Sequence, residues 1–387
     1  MKLIVIGLGQ CGSRIADEFA RLNQYAFNQR KIQICSGVFA VNTDSTDLSG
    51  LRTIKADYQH RILIGGRRTG GHGVGKINEI GAEVASEDAD KIVDAIRSSK
   101  NFYETDAFLL IASTGGGTGS GSLPIMVKHL KERYVDKPVY AMVVLPFEHE
   151  QENEERTIYN SAVCLKSVYS VADAVILVDN QRYVKKGYSV QHNLDTVNGL
   201  IVNPFYNLLC AGEENKSNRV GSKTLDAGDI IQTLSGWTTI GHGSSKLGGV
   251  KIGNVDFRQK NVATHKGIQA MDAAIAELST KVHPNDAGRA MYLVSAPHKE
   301  IHLDLVKDIG DWLKDLAPNA VIRNGDYPVG NTLDVTLILS ELADAEIVRN
   351  YYTKSRDLIP IIKMRQEEVR AKLQGIDDAG KDIPTIF

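Results

Sequence analysis

One pattern occurs six times before residue 181. A short apolar run ends in glycine or in a polar turn, and a helical stretch follows most of these turns. The runs are KLIVIG (2–7), GVFAVNTD (37–44), RILIGG (61–66), AFLLIAS (107–113), VYAMVVLP (139–146) and AVILVDN (174–180). Continuous Val/Ile/Leu runs without polar alternation belong to strands covered on both faces. Helices between them supply that cover. The spacing predicts helices from about Ser13 to Leu22, over 76–99, between the fourth and fifth runs, and before the sixth. The fold class is therefore α/β, a doubly wound parallel sheet over residues 1–187. Glu83, Glu87, Asp88 and Asp90 fall on the wet face of the 76–99 stretch.

The chain has 387 residues, enough for two or three domains on length alone. A second, smaller α+β unit follows the first. Residues 188–212 carry a helical pattern that connects the two, with a kink or break expected at Pro204 and a stop at Gly212. The segment 213–343 contains a helix starting near Asp226, a helix over 267–278, a strand over 289–297, a helix over 303–317, and strands over 319–327 and 333–342. Residues 344–374 suggest a charged helix interrupted at Pro360, followed by a tail to residue 387.

A net charge of −2 argues against nucleic acid and anionic membranes as bulk partners. The four cysteines, at 11, 35, 164 and 210, form no C-x-x-C pair, which suits a reducing compartment. With no signal-peptide pattern and no apolar run of spanning length, the expectation is a cytoplasmic protein.

The turns after the runs carry the chemistry. The densest is Gly115-Gly116-Gly117-Thr118-Gly119-Ser120, at the entrance to a predicted helix. Glycines allow backbone N–H groups to face a ligand, and a helix N-terminus adds unpaired N–H groups and a positive dipole end. The hydroxyls of Thr118 and Ser120 are candidate donors. No lysine follows in Walker spacing. Taken alone, the run reads equally as a flexible turn. It has company, however: GLGQCG (7–12), NTDS (42–45), RTGGHGVG (68–75), PFEHEQENEER (146–156) and DNQR (179–182). Loops at the carboxyl ends of parallel strands form a ligand crevice, and three glycine-rich ones suit a polyphosphate. A dinucleotide-binding NAD enzyme, with Asp44 on the ribose, is the rival reading. It leaves the long glycine run unexplained.

GGGTGSG (115–121) matches the tubulin signature, and GQCGSRI (9–15) is similar to tubulin's first loop. VFAVNTD, TGGHGVGKINEIG, VDNQR and TLDAGDI (224–230) resemble FtsZ loops. The chain thus resembles the tubulin/FtsZ superfamily of GTP-binding cytoskeletal proteins over residues 1 to about 340. Its tubulin-like first loop and IVNPFYNLLCAGE (201–213) are most similar to the archaeal CetZ group.

The resemblance implies GTP or GDP with Mg²⁺, the metal held through phosphates and water rather than by protein ligands. Gly9, Gln10, Cys11 and Gly12 would lie against the α/β-phosphates, and Gly115, Gly116, Gly117, Thr118, Gly119 and Ser120 would cradle them. Gly73, Val74, Gly75 and Lys76 would approach the γ-phosphate. A lysine opening a helix is more simply read as solvated. Asn42, Thr43 and Asp44 would flank the nucleotide or the Mg²⁺ waters. Asn180 and Asn198 would read guanine, since an amide both donates and accepts. Arg156 would act near the ribose with Glu150 or Glu152.

The family also implies catalysis between subunits. Asp226 and Asp229 of one subunit would position water at the next subunit's nucleotide, in a head-to-tail homopolymer serving cell shape or division. LDAGD also reads as a helix cap, and a filament protein with little hydrolysis is the alternative. Thr224 stands where FtsZ has asparagine. KDIPTIF (381–387) faintly resembles the FtsZ docking peptide for membrane-anchor or division proteins.

Overall fold

A computed structural model describes residues 1–184, 190–247, 257–381 and 383. The six apolar runs form six parallel strands: β1 (Leu3–Leu8), β2 (Cys35–Asn42), β3 (Arg61–Leu63), β4 (Ala107–Ser113), β5 (Val139–Leu145) and β6 (Ala174–Asp179). Four more follow: β7 (Gly236–Ser245), β8 (Ala287–Ser295), β9 (Val321–Tyr327) and β10 (Leu333–Leu342). Hydrogen bonding links all ten in the order β3-β2-β1-β4-β5-β6-β7-β10-β8-β9.

Both faces of β1 and β4 are covered, which is why their sequences lack alternation. Ile4, Ile6, Leu8, Phe108 and Leu110 face one core, and Leu3, Val5, Leu109 and Ile111 face the other. Each such burial contributes roughly 1.5–3 kcal/mol. The second core includes Val197, Ile201, Phe205, Leu208 and Leu209 of the connecting helix, which packs across the sheet.

Several expectations need correction. The first helix runs from Gly9 to Arg30, longer at both ends than 13–22. The 76–99 stretch is two helices, Asn78–Glu87 and Ala89–Arg97, meeting at Asp88. Lys76 cannot open a helix, because its φ is +61°. The connecting helix breaks at Asn203, giving Val190–Val202 and Pro204–Ala211, with Pro204 at the first helical position, where a missing N–H costs little. Pro360 does not interrupt the last helix, which runs unbroken from Glu346 to Gly380. Pro360 and Arg356 are both exposed there, so water can take the carbonyl that the proline leaves unbonded.

β7 was not anticipated, and it joins the two units. Its start pairs in parallel with β6 through Ala174↔Gly236, Val175↔Trp237 and Ile176↔Thr238. Its later residues pair antiparallel with β10 from Thr239 to Ser245. A Cβ at Gly241 or Gly243 would stand 2.1 Å from the Ala274 carbonyl oxygen or 2.0 Å from that of Ala270. The helix Phe257–Ala276 lies that close to the strand, so those positions must be glycine. Of the tail match, Asp382 and residues 384–387 lie outside the described residues.

Candidate functional site

The glycine loops converge at the carboxyl edge of the parallel strands. Gly12, in the first turn of the Gly9–Arg30 helix, is pressed against β4: a Cβ there would lie 2.1 Å from the Ile111 carbonyl oxygen. A Cβ at Gly9 would lie 3.0 Å from the Gly119 nitrogen. The two phosphate-loop candidates therefore touch each other. Gly117 caps the helix Thr118–Arg133, whose first turn leaves the N–H groups of Thr118, Gly119 and Ser120 without intrahelical acceptors. A Cβ at Gly116 would meet nothing within 4 Å. No protein packing requires glycine there, and the open space suits a ligand lying on the backbone. The residues present fit a polyphosphate.

The hydroxyl donors are used differently from expectation. Ser120 Oγ is buried and donates to the Gly116 carbonyl, so only the Ser120 N–H is left for a ligand. The hydroxyls of Thr118 and Thr43 are 2.7 Å apart and tie the glycine bed to the end of β2. Asn42 Oδ1 accepts from the Thr43 N–H at 2.8 Å, while its Nδ2 donates to Asp47 at 3.0 Å. Gln10 also donates to Asp47, at 2.6 Å. Asp44 caps the short helix Ser45–Ser49, accepting from Thr46 and Asp47 N–H groups. Among the described residues no group of three or more His, Cys, Asp or Glu side chains could hold a metal ion.

The loop from residue 69 to 76 arches over this bed. Gly73 and Gly75 have φ of +78° and +57°, and the Gly73 N–H bonds the Thr43 carbonyl at 3.2 Å. Val74 is buried, its Cγ2 2.6 Å from where a Gly117 Cβ would sit. Lys76 is exposed, in keeping with the solvated reading, and its ammonium pairs with Glu154 at the surface.

Arg156 pairs with neither Glu150 nor Glu152. Its guanidinium bonds Glu79 and, at 3.3 Å, Asn78, and it lies 4.9 Å above the Tyr159 ring. Its Nε is buried without a partner. Glu150 accepts from the Phe147 N–H at 2.9 Å, closing the turn after β5. The Cys11 thiol is pushed up to about 12, first by burial and then by Glu150, so it carries a proton at neutral pH. Asn180 and Asn198 are both largely buried, Asn180 after β6 and Asn198 in the connecting helix.

Asp226 and Asp229 sit elsewhere. The connecting helix ends at the opposite edge of the sheet: the amino group of Met1, two residues before β1, bonds the Leu209 carbonyl at 3.2 Å and pairs with Glu213 at 2.8 Å. Six residues of β1 separate that edge from the glycine loops, about 20 Å. Just past it, Asp226 and Asp229 form a reciprocal cap on the helix Ala227–Thr233. Asp226 Oδ1 accepts from the Asp229 N–H at 2.9 Å, and Asp229 Oδ2 from the Asp226 N–H at 3.4 Å.

Comparison with known proteins identifies the family. The family model "Tubulin/FtsZ family, GTPase domain" matches residues 2–186, and "Tubulin-like CetZ, C-terminal domain" matches 187–357. The tubulin-like protein CetZ1 of Haloferax volcanii is 34% identical over 347 residues, covering 85% of each chain. A CetZ of Pyrococcus abyssi is 31% identical over 390 residues, covering 98% of this chain and 97% of its own. The chain belongs to the tubulin-like CetZ family. Among solved structures, GDP-bound monomeric CetZ1 from Haloferax volcanii superposes with a TM-score of 0.79 at 29% identity, covering 92% of this chain and 99% of that one. A CetZ2 protofilament from the same organism with bound GTPγS also scores 0.79, at 27% identity and covering 94% and 100%.

Within this CetZ chain, two sets of residues escaped the sequence reading. Asn160, fully buried in the helix Glu155–Tyr169, donates through Nδ2 to the carbonyls of Lys76 at 2.9 Å and of Gly115 and Gly116 at 3.2 Å each. It fastens the loop that ends at Lys76 to the glycine bed. Nothing in its local sequence marks it, since its partners are carbonyls 44 to 84 positions away. The second set lies on β9. Asp326 accepts from the Ser222 and Lys223 N–H groups at 2.9 and 2.7 Å and holds the approach to the acidic loop. Among the described residues of this CetZ chain, no helix is long and apolar enough to cross a membrane.

Proposed function

We propose that this CetZ-family chain binds GTP at the glycine loops, assembles head to tail, and hydrolyses GTP where two subunits meet. The observation that carries this reading is the separation of the two half-sites. The glycine bed occupies the carboxyl edge of β1, and Asp226 and Asp229 lie beyond its other edge. A single subunit cannot bring its acids to its own phosphates. Stacking successive subunits along one direction does so, and a repeated head-to-tail contact generates an open filament.

The backbone N–H groups of Gly115–Ser120 would hold the phosphates, with Mg²⁺ bound through them. Asn180 and Asn198 would meet the base. GTP supplies the phosphoanhydride that is cleaved. Asp226 and Asp229 would orient the attacking water, and orientation supplies most of the acceleration in phosphoryl transfer. A filament of this kind fits a cytoplasmic role in cell shape or division.

The test is GTP turnover measured against protein concentration. Turnover per subunit should rise from near zero in dilute solution to a plateau once polymer forms. Asp229→Ala should bind GTP and lack turnover. A rate per subunit that stays flat across the whole range would reject the split site.

A further inference from the structure

Asp229 is held by an arginine from another part of the chain. Arg323 of β9 places Nε 3.5 Å from Asp229 Oδ1, and its Nη2 donates to the Gln232 side chain one turn further along the same helix. One planar guanidinium thus spans both residues, anchored on Gln232 by a hydrogen bond and drawn to the Asp229 carboxylate by charge. Arg289, diagonal to Arg323 on the neighbouring β8, donates to the Gln232 carbonyl at 2.6 Å. Asp326, three residues after Arg323, grips the backbone at 222–223. β9 therefore anchors the acidic segment at both ends.

We infer that Arg323 is the positioning residue for Asp229, directing its carboxylate toward the nucleotide of the adjoining subunit. This rests on the proposed split site. Asp229 stands at a short helix end and is about one-third exposed. Its capping bond to the Asp226 N–H, at 3.4 Å, is about as long as the Arg323 contact, so the two restrain the carboxylate together and neither does so alone. The Arg323 guanidinium, itself held by Gln232, supplies the second of these restraints. Its positive charge also offsets part of the repulsion expected when two carboxylates approach a polyphosphate. The sequence spacing of 94 residues hides the pairing.

The test compares wild type, Arg323→Gln, Arg323→Lys and Asp229→Ala as full-length chains. Circular dichroism and GTP affinity establish that each variant is folded and loaded. Polymer is quantified by sedimentation with a slowly hydrolysed GTP analogue, and GTP turnover is then expressed per assembled subunit. Arg323→Gln should lower that rate on the order of tenfold to a hundredfold. Arg323→Lys, which keeps the charge and loses the fork, should recover only part of it. A residue that merely stabilised the helix would change the amount of polymer and leave the rate per assembled subunit unchanged. An Arg323→Gln rate equal to or above wild type on that basis overturns the inference. A wild-type rate independent of concentration, or full activity in Asp229→Ala, instead overturns the split site itself.

Discussion

Arg30 donates to the hydroxyl of Tyr327 at 2.9 Å, linking the end of the first helix to the end of β9. The guanidinium lies 4.4 Å from the Tyr206 ring centre and 5.0 Å from that of Tyr327, and it also bonds Asn207 at 3.2 Å. Tyr327 in turn donates to Glu214 at 2.9 Å. The nucleotide-side layer, the connecting helix and the second unit meet on this one cation. Arg30→Ala should cost roughly 2–4 kcal/mol, combining charged hydrogen bonds with cation–π contact. Tyr327→Phe keeps the ring and should cost less, about 1–2 kcal/mol. Urea unfolding of both variants checks this, and a loss below ~0.5 kcal/mol for Arg30→Ala would contradict it.

Asn160→Ala should leave the fold standing and loosen the nucleotide site. The side chain holds three carbonyls of the glycine bed and the Lys76 loop together. Without it, the loops must be ordered when the ligand binds, a cost of about 1–2 kcal/mol, or roughly tenfold in affinity. Titration with a fluorescent GTP analogue measures this. Unchanged affinity would remove Asn160 from the site.

Gly116→Ala and Gly12→Ala should separate binding from stability. At Gly116 a methyl group meets open space, so the melting temperature should hold while nucleotide affinity falls. At Gly12 the methyl group would strike the Ile111 carbonyl oxygen, so the protein should be destabilised by roughly 2 kcal/mol or more. Paired melting curves and GTP titrations decide. Wild-type affinity in Gly116→Ala would mean that the ligand does not lie on that residue.

Stability should fall above pH 9. Burial raises the thiols of Cys11 and Cys164 from about 9 to about 12 and that of Cys210 to about 11, and it pushes Cys35 up as well. Between pH 9 and 11 the unfolded chain gives up these protons while the folded chain keeps them. The folded state then binds more protons, so unfolding free energy declines as pH rises, by about 1.4 kcal/mol per pH unit for each thiol. Below pH 9 the contribution is fully present. Urea midpoints from pH 8 to 10.5 should show the decline, and Cys164→Ala should make it shallower. A flat profile would show that the thiols titrate alike in both states.

The first sheet was readable because burial on both faces leaves unbroken apolar runs, of which β4 and β5 are the clearest. β7 was not readable, because the closeness of the helix Phe257–Ala276 demands glycines that weaken any strand signal. The glycine loops announced themselves through backbone conformation, which composition reports directly. The partners of Arg156 did not: Glu79 is 77 positions away, and the nearer acids at 150 and 152 offered a simpler pairing. For Lys76 the exposure was legible, but neither the left-handed backbone that keeps it from opening a helix nor its pairing with Glu154 leaves a local trace. Local rules reach helix caps and turns, and long-range ion pairs lie beyond them.

The short join between β6 and β7 has a mechanical meaning. Only Ala174, Val175 and Ile176 of β6 face β7, whereas β10 meets β7 along seven residues from Thr239 to Ser245. Gly236, at φ +54°, opens the strand at that join, and Trp237 stacks on Tyr169 beside it at 4.4 Å. A torque between the two halves would concentrate there, where the fewest ladder bonds resist and one aromatic pair serves as the bearing. The sheet is one fabric, and this is its seam.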